Sequence, residues 1–329
     1  MQEDFKTLKH ITAPIFEDLK IFEKEFREAM QSEVRLVNTI GKYLIRHKGK
    51  NIRPILTILS ARLTGKPTLQ SYQAAAMIEL LHVATLIHDD VVDEAEKRRG
   101  FLALNRIWKN KVAVLMGDFL LSKVLINLIR IKDYEALELL SLTAEKLSAG
   151  EILQIEKSMS KSMNEEVYYE MIYQKTASLV STSCEIGAIT ASKKKDDRKN
   201  LASFGENLGM AFQIKDDLFD LLGSAGNTGK DVAADVKRNM VTLPLIHSYS
   251  HSSKAGIKQI KRILRNKHKT GDDVQELKTF IHDTGGFKYA KNKIDEFSSK
   301  ALDAIHVYPD SVYKDSLTDL VAFNVHRSY

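Results

Sequence analysis

No proline interrupts the chain between Pro67 and Pro244. A stretch of that length without helix breakers is best accommodated as successive helices ended at glycines and polar turns. Only five prolines occur in all 329 residues. Apolar residues recur at helical spacing, as in Leu80, Leu81, Ala84, Ile87 and Val91, and again in Leu201, Phe204, Leu208 and Ala211. No alternating stretch is long enough to build a sheet, no repeat of solenoid period stands out, and no Pro/Ser-rich linker divides the chain. The reading is a single all-α domain over residues 1–329.

The opening "MQEDFKTLKH" lacks the basic flank and apolar core of a signal peptide. The longest apolar stretch, "VAVLMGDFLLSKVLINLI", carries Asp118 and Lys123, which argues against a membrane span. Cys184 is the sole cysteine, so no internal disulfide forms and a cytoplasmic location is expected. A net charge of +6 suits an anionic partner. The basic runs "KKKDDRK" and "KAGIKQIKRILRNKHK" lack interleaved aromatics for stacking bases, so nucleic acid is not the expected partner. They read as solvated helix faces, with a peripheral membrane contact as the lesser use.

"LIHDDVVDEAEKRRG" places Asp89, Asp90 and Asp93 at the end of an apolar helix. Asp89 and Asp93 project from one face and Asp90 lies about 100° around. Like charges at this spacing repel, so something positive must offset them. Arg98 and Arg99 lie beyond helical pairing distance and are not expected to neutralise the trio locally. Upstream, "MIELLHVATLI" is apolar nearly all round except for Glu79, His82 and Thr85, as a buried helix is. The pattern returns in "FGENLGMAFQIKDDLFDLLG", with Asp216, Asp217 and Asp220. One such cluster is a weak signal, but two on buried-looking helices point to chemistry.

All-oxygen ligand sets select hard cations, and Mg²⁺ binds through one or two carboxylates, phosphate oxygens and water. Zinc would require His or Cys, and His82 and His88 do not share a helix face. A di-iron bundle takes a Glu-x-x-His pair from each of two helices, and only Glu79 with His82 has that spacing, so such a bundle is likewise disfavoured. Two carboxylate clusters with Mg²⁺ predict a polyphosphate held between them. Lys50 and Arg53 in "GKNIRP", Arg98 and Arg99, Lys175 in "QKTA" and Lys230 in "GNTGKD" are the candidate phosphate cations. The GxxxxGK[ST] loop is absent, so nucleotide hydrolysis lacks its usual equipment, and "GSAGNTGKD" reads either as a flexible surface loop or as a lid over the phosphate site.

With these motifs in hand, the chain resembles the trans-isoprenyl (polyprenyl) diphosphate synthases of medium- and long-chain type. The likeness runs from "GKNIRP" through "ELLHVATLIHDDVVDEAEKRRG", "LSAGEILQIE", "YYEMIYQKTASLVSTSCEIGA" and "TGKDVAADVKRNMVTLPLI" to "LTDLVAFNVHRSY". The resemblance implies a helical bundle around a deep central cavity, usually a homodimer. It implies that Asp89, Asp90, Asp93, Asp216, Asp217 and Asp220 hold Mg²⁺ on an allylic diphosphate gripped also by Arg98, Lys175 and Lys230. Lys50, Arg53, His82 and Arg99 match the isopentenyl diphosphate pocket, and Thr176 and Gln213 match polar groups along the reacting carbons. The implied reaction is sequential condensation of isopentenyl diphosphate onto a farnesyl or geranylgeranyl primer. One departure stands out: the family's lysine in a "GKxTLP"-like segment is replaced by Asn239 and Met240 in "KRNMVTLP".

A chain growing from Asp89 runs past Thr85, Ala84 and then Leu81, at about 5.4 Å per helical turn. Family members with short products carry bulky aromatics here. Ala84 and Thr85 leave this level open, which predicts products of about C30 to C45, suited to quinone side chains. The rival readings are a geranylgeranyl diphosphate synthase, a terpene cyclase or head-to-head condensing enzyme, and a noncatalytic helical subunit of a heteromeric synthase. "GKNIRP" with His82 speaks against a cyclase, and two intact aspartate clusters speak against a noncatalytic subunit.

Overall fold

The computed structural model describes residues 8–160, 163–222, 241–266 and 270–326. Almost all of them are helical, as the proline distribution and apolar spacing predict. In chain order the helices are α1 (Phe16–Ala29), α2 (Arg35–Arg46), α3 (Ile52–Thr64), α4 (Leu69–Val92), α5 (Leu104–Arg130), α6 (Tyr134–Ser160) and α7 (Glu165–Ile172). After a π-helical turn, Tyr173–Ala177, follow α8 (Ser178–Ala191), α9 (Lys195–Leu222), α10 (Leu243–Ser250), α11 (Lys254–Arg265), α12 (Gly271–Asp283), α13 (Gly286–Ile305) and α14 (Val312–His326). The contacts group the described residues into two compact units.

The first unit draws on Met1–Glu145, Leu179–Gly205 and Ala304–Asp319. Its central element is α4, which packs against α1, α3 and α5. A reciprocal capping box between Thr68 and Ser71 starts this helix. Ala74, Ala75 and Ala76 let neighbours approach closely, while Met77, Ile78, Leu80, Leu81 and Ile87 fill the core. Each large aliphatic side chain so buried contributes about 1.5–3 kcal/mol. Asp18 on α1 is buried but satisfied: Arg62 of α3 donates to its two oxygens at 3.0 and 2.7 Å, and the Tyr72 hydroxyl of α4 donates at 2.6 Å. Burial, and then the Asp18 hydrogen bond, push the Tyr72 phenol up to about 12. This three-helix tie fixes the base of α4, whose far end carries the first aspartates.

Past Val92 the chain forms a minimal hairpin, β1 (Lys97–Arg98) paired antiparallel with β2 (Phe101–Leu102). Its two connecting residues, Arg99 and Gly100, have φ of 53° and 81°. The left-handed conformation is natural for glycine and strained for arginine. Helix α5 is the one described helix long and apolar enough to cross a membrane. The two charges within its stretch "VAVLMGDFLLSKVLINLI" have protein partners: the Lys123 ammonium donates to the Gln31 carbonyl at 2.7 Å, and Asp118 lies 3.4 Å from His88.

The second unit draws on Lys146–Ser178, Glu206–Asp303 and Leu320–Tyr329. Tyr168, Met171, Ile172, Met210, Ala211, Ile214 and Leu218 build its main core with Leu243, Ile246 and Ile294. A second cluster joins Ile260, Ile263 and Leu264 of α11 to Leu277 and Ile281 of α12. The other side of α11 exposes Lys254, Lys258, Lys261 and Arg262, so the basic run there is a solvated face.

Candidate active site

The predicted site residues fall into two clusters, one in each unit. In the first, Asp89, Asp90 and Asp93 stand at the C-terminal end of α4, where the Asp93 amide caps the helix on the Asp89 carbonyl at 2.8 Å. Asp89 and Asp93 share a face, with Asp93 exposed. Asp90 points inward at 4% exposure, and the Arg98 Nε donates to its Oδ1 at 2.7 Å. Asn105 of α5 donates to the Asp90 carbonyl at 3.1 Å. Burial raises the Asp90 pKa, and Arg98 opposes that shift. The expectation that Arg98 would not reach the aspartates is therefore corrected. It considered helical spacing only, whereas the hairpin folds Arg98 back over the end of α4.

The opposite stripe of α4 meets the remaining cations. Glu79, His82, Ile87 and Asp90 line a cavity of about 80 Å³ together with Lys48, Arg98 and Arg99. The His82 imidazole is held well below its ordinary pKa by burial and then by Arg53, Arg99 and Arg98, so it is neutral near pH 7. Burial raises the Glu79 pKa while Arg53, Arg99 and Lys48 hold it down. Glu79 thus lies in the field of a concentration of cations that opposes the effect of its burial. Gly49 makes that crowding sterically feasible, because a Cβ there would lie 2.5 Å from the Arg99 guanidinium. The Arg53 Nε is buried with no hydrogen-bond partner, a donor available for an anion. Lys50 is exposed.

In the second cluster the π-turn carries Lys175 and Thr176. Such turns interrupt an α-helix locally and are frequent at functional sites. Gly150 of α6 lets the turn come close, since a Cβ there would stand 3.0 Å from the Lys175 amide nitrogen. The Lys175 ammonium then pairs with Glu151 at 2.6 Å and donates to Gln154 at 2.7 Å. Thr176 donates its hydroxyl proton to Gln213 Oε1 at 2.7 Å, and Gln213 Nε2 donates to Asp217 Oδ1 at 2.7 Å. The Tyr168 hydroxyl donates to Asp217 Oδ2 at 2.6 Å. Asp217 is buried, whereas Asp216 and Asp220, one turn apart on α9, are half-buried.

Sequence reasoning did not assign Glu79, Glu151, Gln154, Asn105 or Tyr168 to the site. Glu79 had a signal, as the only acid in the apolar stretch "MIELLHVATLI", and Glu151 with Gln154 had helical spacing within "GEILQ". Tyr168 had none, because a tyrosine in a helical core reads as packing. Lys230, Asn239 and Met240 lie outside the described residues. Of the chain-length positions, Leu81 and Ala84 are 1% and 0% exposed. Thr85 is half-buried and donates to the His82 carbonyl at 2.9 Å.

Among the described residues, no group of three or more His, Cys, Asp and Glu side chains could by itself hold a metal. Each cluster instead has two carboxylates one turn apart, Asp89 with Asp93 and Asp216 with Asp220, beside an inner acid, Asp90 or Asp217, that neighbouring side chains hold. This donor set fits Mg²⁺, which takes few protein carboxylates and fills its shell with phosphate and water.

The model of a family described as polyprenyl synthetase matches residues 34–281. The chain is 32% identical to the all-trans-nonaprenyl-diphosphate synthase (geranyl-diphosphate specific) of Rhodobacter capsulatus, over 99% of both chains. It is also 32% identical to the octaprenyl diphosphate synthase of Escherichia coli (strain K12), over 91% of this chain and 93% of that one. Among solved structures it is similar to a polyprenyl synthase from Caulobacter crescentus CB15 complexed with calcium and isoprenyl diphosphate. The TM-score is 0.90 at 30% identity, covering 97% and 98% of the two chains.

Proposed function

This chain belongs to the polyprenyl synthetase family, and from that premise we propose that it lengthens an allylic diphosphate by successive additions of isopentenyl diphosphate, giving products of about C30 to C45. The observation that carries this reading is the pairing of two complete aspartate clusters with a separate cation pocket. A chain elongator must bind two diphosphates, and a cyclase only one. The nonaprenyl and octaprenyl products of the two curated relatives support a long product.

The residues divide the work by chemistry. Arg53, Arg99 and Lys50 bind the diphosphate of the isopentenyl substrate, and neutral His82 adds a hydrogen bond without adding charge repulsion. Glu79 holds the guanidinium groups near one another while the pocket is empty. Lys175 carries a positive charge to the allylic diphosphate, exchanging its Glu151 and Gln154 contacts for phosphate oxygens. Asp89 and Asp93 in the first cluster, and Asp216 and Asp220 in the second, would hold Mg²⁺, which when bound would supply charge that stabilises a departing diphosphate. Thr176 and Gln213 direct oxygen dipoles along the reacting carbons, where positive charge develops. Exclusion of water from the apolar part of the site preserves that cation until the double bond of isopentenyl diphosphate attacks.

The growing hydrocarbon follows α4 past Thr85. A family match over residues 34–281, which includes segments of both units, supports reading residues 1–329 as one domain. A homodimer is supported by the apolar residues that α5 leaves exposed, Ile107, Val114, Leu115, Leu125, Ile126 and Ile129. Buried, unpaired Cys184 suits the cytoplasm, with a peripheral membrane contact for release of the apolar product.

The test uses the purified chain with labelled isopentenyl diphosphate, farnesyl diphosphate and Mg²⁺. The expected outcome is label in polyprenyl diphosphates of about C30 to C45, abolished by EDTA and restored by Mg²⁺. Failure to consume isopentenyl diphosphate with any allylic primer would overturn the reading.

A further inference from the structure

We infer that Tyr168 is a positioning residue that orients the Thr176 hydroxyl for catalysis, acting through Asp217 and Gln213. The inference rests on the reaction proposed above. Its basis is an unbroken run of hydrogen bonds inside the second unit: Tyr168 to Asp217 at 2.6 Å, Gln213 to Asp217 at 2.7 Å, and Thr176 to Gln213 at 2.7 Å.

The run has a direction. Tyr168 is 0% exposed, and its phenol, with a single proton, gives that proton to Asp217 Oδ2. The other carboxylate oxygen of Asp217 accepts from Gln213, so the amide must turn its NH₂ toward Asp217 and its carbonyl oxygen toward Thr176. That oxygen takes the only proton of the Thr176 hydroxyl. What Thr176 has left to offer is lone pairs. A hydroxyl that can only accept presents the negative end of its dipole, as required beside an allylic carbon that is becoming positive. Reversed, the same hydroxyl would point a proton at the cation and oppose the reaction.

The anchor is rigid for a structural reason. Tyr168 belongs to the packed core formed with Met171, Ile172, Ala211, Ile214 and Leu218, and Asp217 is only 6% exposed. The chain therefore starts in close-packed protein and ends at Thr176, which is only partly buried. Removing the phenol leaves Gln213 free to rotate its amide, because one of the contacts that holds Asp217 in place is gone.

A double-mutant cycle on a single condensation, measured under single-turnover conditions, tests the idea. Tyr168→Phe removes one oxygen and keeps the ring. The expected result is a rate about 10- to 100-fold slower, with KM for both diphosphates and the Mg²⁺ dependence unchanged. In a Thr176→Val background the Tyr168→Phe change should cost nothing further, whereas Thr176→Ser should restore sensitivity to it. Gln213→Met, which breaks the run at its middle joint, gives a second arm: there too Tyr168→Phe should become silent. Additive losses in these backgrounds, or an unchanged rate in Tyr168→Phe, would overturn the inference. A wild-type chain that consumes no isopentenyl diphosphate would instead fail the proposed reaction itself, so the two failures are distinguishable.

Discussion

The two aspartate clusters share one spacing and differ in how the middle carboxylate is held. Asp90 is paired with the cation Arg98, while Asp217 is fixed by two neutral donors, Tyr168 and Gln213. In each cluster the inner acid is immobilised and the outer two stand one turn apart and more exposed. The inner acid of the first cluster meets a guanidinium, and that of the second joins a directed hydrogen-bond network. The same pattern of residues therefore serves electrostatic balance in one place and orientation of a reacting group in the other.

Substitution of the outer carboxylates probes what the clusters share. Asp89→Asn and Asp216→Asn should each slow isopentenyl incorporation by about 100- to 1,000-fold, measured at saturating Mg²⁺. A large loss in only one of them would show that the clusters are not equivalent in catalysis. The inner acids probe the difference. Arg98→Met leaves Asp90 buried without its cation and should destabilise the chain by about 3 kcal/mol. Tyr168→Phe removes one neutral hydrogen bond and should cost about 1–2 kcal/mol. Urea titration gives both values, and equal losses would break the contrast between charge compensation and neutral anchoring.

The stripe between the clusters' chemistry and the hydrocarbon offers a further comparison, this time along α4 itself. Thr85→Phe should shorten the products, as read by chromatography of the dephosphorylated prenols. Ala84→Phe should also shorten them, but at a stability cost of about 1–3 kcal/mol because Ala84 is fully enclosed. Unchanged length in both would remove this face of α4 from the substrate path.

The smallest effect concerns pH. His82 has its pKa depressed in the folded chain, so below about 6.5 the unfolded chain binds the additional proton and stability falls as pH drops toward the folded value. His82→Gln should flatten that part of the stability profile below about pH 6.5. An identical slope in the variant would show that the imidazole is not held neutral by its cationic surroundings.

Much of the candidate site was legible because its signals are local. Charge repetition one helical turn apart, a basic GKNIRP stretch and a QKTA segment each declare themselves in a few adjacent residues. The partners of Lys175 were half-legible, as Glu151 and Gln154 show helical spacing but nothing names their target. The Arg98 contact was misread because helical spacing describes a continuous helix, and a hairpin of two-residue strands reverses the chain after Val92. Tyr168 was invisible, since its phenol acts across 49 residues of sequence.

What the amino-acid sequence determined by itself is the helical character of the chain, its hard-cation ligand types and its concentration of phosphate-binding cations. These follow from backbone preference, periodicity and side-chain chemistry, all expressed within a turn or two. Tertiary structure alone decided which side chains hold the inner carboxylates, Asp90 and Asp217, and which way those hydrogen bonds point. Both depend on groups distant in sequence meeting at about 3 Å, inside a core that leaves buried polar atoms no water to turn to.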